Sequence, residues 1–146
     1  MAGLKVLVFG LPGSGKTTLS KELASLFRCP VKHLNADEVR TEANDWDFSN
    51  EGRARQAARM LRLADEAKAE GFVVISDFIA PRKSARENFK ADYIVWMDTI
   101  KAGRFEDTNA MFETPGVSDY DKCVDNFASK LYAREIREDI RERFGI

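Results

Sequence analysis

With 146 residues, 44% of them hydrophobic, the chain is long enough for one core and too short for two comfortable domains, so a single domain over residues 1–146 is expected. Its 23 basic and 24 acidic residues leave a net charge of −1, which excludes a protein-wide field for nucleic acid or an anionic membrane and confines phosphate binding to a local cleft. Cys29 and Cys123 lack metal-ligand spacing, and neither a signal peptide nor a long apolar span is present, which points to reduced thiols in a cytoplasmic protein.

In chain order the first element is "KVLVF", residues 5–9, a short apolar run that reads as a strand. "GLPGSGKTT" follows, and Gly10, Gly15, Lys16 and Thr17 satisfy the spacing G-x-x-x-x-G-K-[ST]. Glycines let successive backbone N–H groups turn inward around an anionic phosphate, so Gly10, Pro12, Gly13, Ser14, Gly15, Lys16, Thr17 and Thr18 are the expected nucleotide-binding residues. The next helix, with Leu19, Leu23 and Phe27 at helical spacing, adds its unpaired N–H groups and the positive end of its dipole. Lys16 would reach the β and γ phosphates of ATP, and the Thr17 hydroxyl would join a Mg²⁺ shell.

"VKHL" reads as a second strand, with His33 a strand residue of no catalytic duty. Ser49 is the expected N-cap of a helix that runs to Gly71 with a buried stripe of Ala57, Met60, Leu61, Ala64 and Ala67. On its outer face Arg55 and Arg62 are expected to pair with Asp65 and Glu66. "FVVIS" and "YIVWM" are continuous apolar runs, as in parallel strands covered on both faces, with a short helix after Pro81 between them. Asp77, ending the first of the two, is placed to hold a Mg²⁺-bound water. Residues 99–117 show no periodicity and read as a functional loop. Two closing helices are expected, one striped by Tyr120, Val124, Phe127 and Leu131, the other by Ile136, Ile140 and Phe144. Strands alternating with helices imply the three-layer α/β/α arrangement of a P-loop NTPase fold, with a parallel sheet and right-handed crossovers.

A phosphate loop alone serves GTPases, ATPase motors and small-molecule kinases. No guanine-reading Asn-Lys-x-Asp is found, and the short chain with an acid just past the second strand, Asp37, favours a compact kinase whose carboxylate lies near the acceptor hydroxyl. Capping the following helix is a second, compatible role for Asp37.

Over roughly residues 4 to 116 the chain resembles the adenylyl-sulfate kinases. "GLPGSGKTTL" is similar to that family's phosphate loop, and "LNADEVR" to its L-D-G-D-N-[IV]-R, keeping Asp37 and Arg40. "DFSNEGRARQAAR" resembles G-F-S-x-x-x-R-x-x-N-x-x-R, keeping Phe48, Ser49, Arg53 and Arg59. "VVISDFIAPRKSARE" resembles V-V-[IV]-[ST]-x-F-I-S-P-[YF]-R-x-x-R-x, keeping Phe78, Ile79, Pro81 and Arg86, with Lys83 as the basic residue. "GRFEDTNAMFETP" resembles G-F-T-G-I-x-x-x-Y-E-x-P, keeping Phe105, Glu113 and Pro115.

The resemblance implies an ATP-dependent phosphotransferase that phosphorylates the ribose 3′-hydroxyl of adenylyl sulfate. Phe48 and Phe105 would then sandwich the acceptor adenine, although all three aromatics, Phe78 included, also suit a core. Arg40 and Arg53 would hold the phosphosulfate, Asp37 would take the hydroxyl proton, and Gln56, Phe78, Ile79 and Lys83 would complete the acceptor pocket. The chain departs from the family pattern where Asn35 and Ala36 replace an acid and a glycine, Gln56 an Asn, and Ala80 a Ser that some members phosphorylate. The family's basic lid, D-P-K-G-L-Y-K-K-A-R, is missing, leaving Lys101 and Arg104 as its nearest substitutes. Two other readings stay open: a polynucleotide 5′-hydroxyl, nucleoside or metabolite kinase, and a nucleotide-binding protein with little turnover. The expected partner is a small nucleotide acceptor, with a homodimer compatible, no membrane, and nucleic acid disfavoured by charge without being excluded.

Overall fold

Strand β1, Leu4–Gly10, is buried at every position, as a central strand with both faces covered must be. It belongs to one sheet with β2 (Val31–Asn35), β3 (Val73–Phe78), β4 (Tyr93–Met97) and β5 (Lys122–Val124), in the order β2-β3-β1-β4-β5. Every pairing is parallel. The computed structural model that shows this describes residues 3–103 and 105–146, so Arg104 lies outside the described residues.

Alternate β1 side chains feed two cores. Leu4, Val6 and Val8 pack with Leu19 and Leu23 of α1 (Lys16–Ala24) and with Ile136 and Ile140 of α6 (Ser129–Phe144). Leu7 and Phe9 pack on the other face with Val39 of α2 (Ala36–Ala43), Met60 and Ala64 of α3 (Asn50–Ala69), and Phe89 of α4 (Lys83–Phe89). This is the three-layer α/β/α P-loop NTPase arrangement expected from the sequence. In such sheets ligands bind beyond the carboxyl ends of the strands. Gly10, Asn35 and Asp77 stand there, with Asn35 and Asp77 directly opposite each other in the pairing of β2 with β3.

Several elements differ from expectation. Within residues 99–117 lies a short helix, α5, Glu106–Met111. The stripe Tyr120, Val124, Phe127 and Leu131 forms no single helix: Val124 enters the core from β5, Tyr120 packs against Trp96 at 5.5 Å, and Phe127, ahead of α6, and Leu131, in its first turn, stay 63% and 53% exposed. Helix α3 is rotated relative to its expected stripe, burying Gly52, Gln56, Met60, Ala64 and Ala67 and leaving Ala57 and Leu61 only partly covered. Gly52 sets that rotation, since a Cβ there would sit 2.1 Å from the Asp47 carbonyl oxygen. Its N-cap is the expected Ser49, accepting from the Gly52 N–H at 3.1 Å. No helix among the described residues is long and apolar enough to cross a membrane.

Candidate functional site

Between β1 and α1 the chain turns through Gly15, whose φ of 91° is left-handed and suits glycine. Gly15 caps α1 without a side-chain hydrogen bond, so the first N–H groups of the helix remain available to an anion. Thr99 donates to the Ser14 carbonyl at 2.7 Å and fixes the loop to the end of β4; Ser14 itself is fully buried. Lys16 Nζ donates to the Leu11 carbonyl at 3.0 Å. Burial pushes the Lys16 ammonium down from 10.5 to about 8, against the opposing pull of Asp77 and Asp37.

Beside the loop is a polar corner. Thr17 Oγ1 lies 3.4 Å from Asp77 Oδ1, and Asn35 Nδ2 donates to both, at 3.0 and 3.1 Å. Asn35 Oδ1 meanwhile accepts from the Glu38 N–H at 3.0 Å and caps α2. The cap therefore falls to Asn35, and Asp37 in the first turn is left exposed with its carboxylate unbonded among the described residues. His33 Nε2 bonds the second oxygen of Asp77, which is 2% exposed. Hydroxyl and carboxylate oxygens side by side are the donor set that Mg²⁺ prefers.

The acceptor end is built on Arg40, 6% exposed. Its guanidinium donates to the Asp45 carbonyl at 3.0 Å and lies 4.5 Å over the Phe48 ring. Burial holds its pKa below the usual arginine value. Arg53 Nε donates to the Phe48 carbonyl at 2.9 Å and Nη2 meets Asp107 at 3.2 Å, so one side chain ties together the segments that carry Phe48 and Phe105. Both rings are 51% exposed. Gln56 is buried, donating to the Ala36 carbonyl at 3.0 Å and accepting from Arg59 at 2.7 Å.

Lys16, Thr17, Asn35, Asp37, Asp77 and the acceptor-end residues Arg40, Phe48, Arg53, Gln56 and Phe105 line one cavity of about 1460 Å³ with Pro12, Gly13, Thr18, Phe78 and Ile79. Among the described residues its cationic lining is Lys16, Arg40, Arg53, Arg82 and Lys90, against Asp37, Asp77 and Asp107, a balance that favours an anionic ligand. Gly10 and Ser14 are not in the lining and support the loop from behind. Phe78 has a double position, at the cavity wall and in the core, edge-on to Phe89 at 5.5 Å.

Lys83 is not brought to this cavity. It points to Glu87 and Asp119, at 3.9 and 3.8 Å, in a separate cleft of about 240 Å³, and Arg82 is the basic residue on the cavity side. Lys101 is 92% exposed near Asp98. Arg62 pairs with Glu66 as expected, but Arg55 turns to Asp45 and Asp47; Arg55 and Arg59 hold the Asp45 carboxyl well below the ordinary carboxylate range, and hydrogen bonds from Ser49 and then Arg55 do the same for Asp47. Arg86, buried between Phe9 and Phe112, holds the carbonyls of Ala80 and Pro81 at 2.8 and 3.1 Å. It thereby fixes Ala80 at a φ of 43°, a conformation costing on the order of 1 kcal/mol for a residue with a Cβ.

Sequence reasoning did not single out Trp46, half exposed in the cavity lining, or Asp107, and it gave His33, which bonds Asp77, no part in the site. The dipeptide spacing of Trp46 and Phe48 in a polar loop was a usable signal, whereas nothing local ties Asp107 to Arg53.

Residues 2–113 match the family described as adenylylsulphate kinase. A probable adenylyl-sulfate kinase of Aeropyrum pernix is 38% identical over 88 residues, 58% of this chain and 48% of that protein. The adenylyl-sulfate kinase of Chloroflexus aurantiacus is 28% identical over 99% of this chain, which spans 72% of the relative. Among solved structures, the Mycobacterium tuberculosis APS kinase in complex with AMPPNP and APS superposes with a TM-score of 0.77 at 19% identity, covering 97% of this chain and 98% of the other. That likeness concerns the fold; the family match extends over the phosphate loop, the polar corner and the acceptor end, and by it this chain belongs to the adenylylsulphate kinases.

Proposed function

We propose that the protein transfers the γ-phosphoryl group of MgATP to the 3′-hydroxyl of adenylyl sulfate. The observation that carries this reading is a single cavity joining a phosphate loop, an unbonded carboxylate and an arginine–aromatic pair. In it the loop N–H groups and Lys16 hold the phosphates, and Thr17 and Asp77 hold Mg²⁺, which supplies charge neutralisation at the phosphates when bound. Asp37 orients the acceptor hydroxyl and takes its proton. Phe48 and Phe105 stack on the adenine, and Arg40 and Arg53 meet the phosphosulfate as planar, permanently charged forks. Phosphoryl transfer asks for positioning and charge stabilisation rather than covalent chemistry from the protein, and these residues provide both.

The deciding measurement is ADP release against adenylyl sulfate, nucleosides and a short oligonucleotide with a 5′-hydroxyl. Saturable transfer to adenylyl sulfate supports the reading, and transfer to the oligonucleotide alone would replace it. Phe48→Leu is expected to weaken adenylyl sulfate by roughly 1–3 kcal/mol, read as a rise in KM, while ATP binding stays near the wild-type value. An unchanged KM would remove Phe48 from the acceptor site.

Nucleotide binding should also carry a proton signature. Bound phosphates favour the charged form of Lys16, which titrates at about 8 in the free protein. ATP binding near pH 8 should therefore take up protons, and ATP affinity should fall as pH rises above that value. For the free protein the sign is opposite: between about 8 and 10.5 the unfolded chain binds more protons at this lysine, so this group adds stability as pH rises. Calorimetry in two buffers of different ionisation enthalpy measures the uptake; zero uptake would mean that Lys16 is already fully charged before the nucleotide arrives.

A further inference from the structure

Asp77 has both carboxylate oxygens engaged, and the two sides differ. Oδ1 faces the loop, accepting from Asn35 Nδ2 at 3.1 Å and standing 3.4 Å from Thr17 Oγ1, longer than an ordinary hydroxyl–carboxylate bond. Oδ2 faces away and meets His33 Nε2. Strand register explains the grouping. Asn35 is opposite Asp77 and His33 is opposite Ile75, which faces the core under α1, so all three polar side chains share the face that carries Thr17.

An aspartate in that position has a competing partner. Asp77 is the strongest charged influence on Lys16, and a carboxylate free to turn about its side-chain torsions would close onto that ammonium. Such a pair would occupy both the cation needed by the phosphates and the oxygen needed by the metal. His33, on the outer strand with 18% of its side chain exposed, meets the far oxygen, opposite the one that Asn35 holds.

Resting on the MgATP reading above, we propose that His33 is a positioning residue, which pins Asp77 so that its Oδ1 edge is presented to Thr17 and the metal's hydration shell and kept off Lys16. Partners that orient metal-facing groups typically contribute about 10–100-fold in metal affinity.

The test uses Mn²⁺ as probe, followed by its electron paramagnetic resonance signal in the wild-type protein with ATP and in three variants. His33→Leu should weaken Mn²⁺ binding to the protein–ATP complex by about 10-fold or more, while ATP affinity in the presence of chelator changes less than about twofold. His33→Gln, whose amide nitrogen reaches the same place as Nε2, should recover most of the loss. If the Leu variant does not fold, His33→Asn, polar but too short to reach Asp77, makes the same comparison with Gln. Wild-type Mn²⁺ affinity in the Leu or Asn variant overturns the proposal, and so does a Gln variant as weak as these. Wild-type protein that binds ATP with no dependence on Mn²⁺ overturns the MgATP reading itself, a result distinguishable from the other two.

Discussion

Lys16→Ala is expected to lower ATP turnover by at least ~10²-fold with the fold intact, the scale of losing one preorganised charge-stabilising contact. Alanine is the better helix former at the start of α1, and among the described residues the only hydrogen bond lost is the one to the Leu11 carbonyl. Burial of the ammonium costs the free protein stability, as its pKa of about 8 records, so removing it should leave the apo protein as stable as before or more so. Activity and stability would then move in opposite directions. Steady-state kinetics with a thermal melt checks both, and undiminished turnover would take the loop out of the mechanism.

How much of this was legible beforehand depends on whether the determining contact is local. The phosphate loop was, because its chemistry is carried by glycine positions and one lysine within a few residues. Residues 93–97 were legible as a strand because five consecutive apolar or aromatic residues flank no competing period. The stripe of α3 was displaced by two contacts to chain ahead of the helix, Gly52 against the Asp47 carbonyl and Gln56 onto the Ala36 carbonyl, which periodicity cannot register. At residues 120–131 helical spacing arose by coincidence across β5, the loop after it and the first turn of α6. Lys83 matched a basic position, but Arg82, one residue earlier, is the side chain that reaches the cavity. Asn35 read as the loss of an acid; the sheet register puts Asp77 opposite, so a carboxylate remains at the corner, supplied by the neighbouring strand.

That corner decides what Asp37→Asn should do. An aspartate just after a strand can be a helix cap, and substitution would then act through stability. Here Asn35 caps α2, so Asn at position 37 leaves the cap bond in place and removes only a first-turn charge, worth about 0.3–1 kcal/mol at the helix terminus. Phosphoryl transfer should respond far more, because an amide cannot take the acceptor's proton: a fall of ~10²–10⁴ in kcat is expected. Asp37 also helps hold the Lys16 proton, so its loss lowers that lysine further, and the comparison belongs well to the acid side of the wild-type value of about 8. With that control, ATP binding should change little and the deficit should lie in the chemical step of a single turnover. A variant with normal single-turnover rate and a lowered melting temperature would assign Asp37 to the helix terminus, and the base would then have to be sought elsewhere in the cavity.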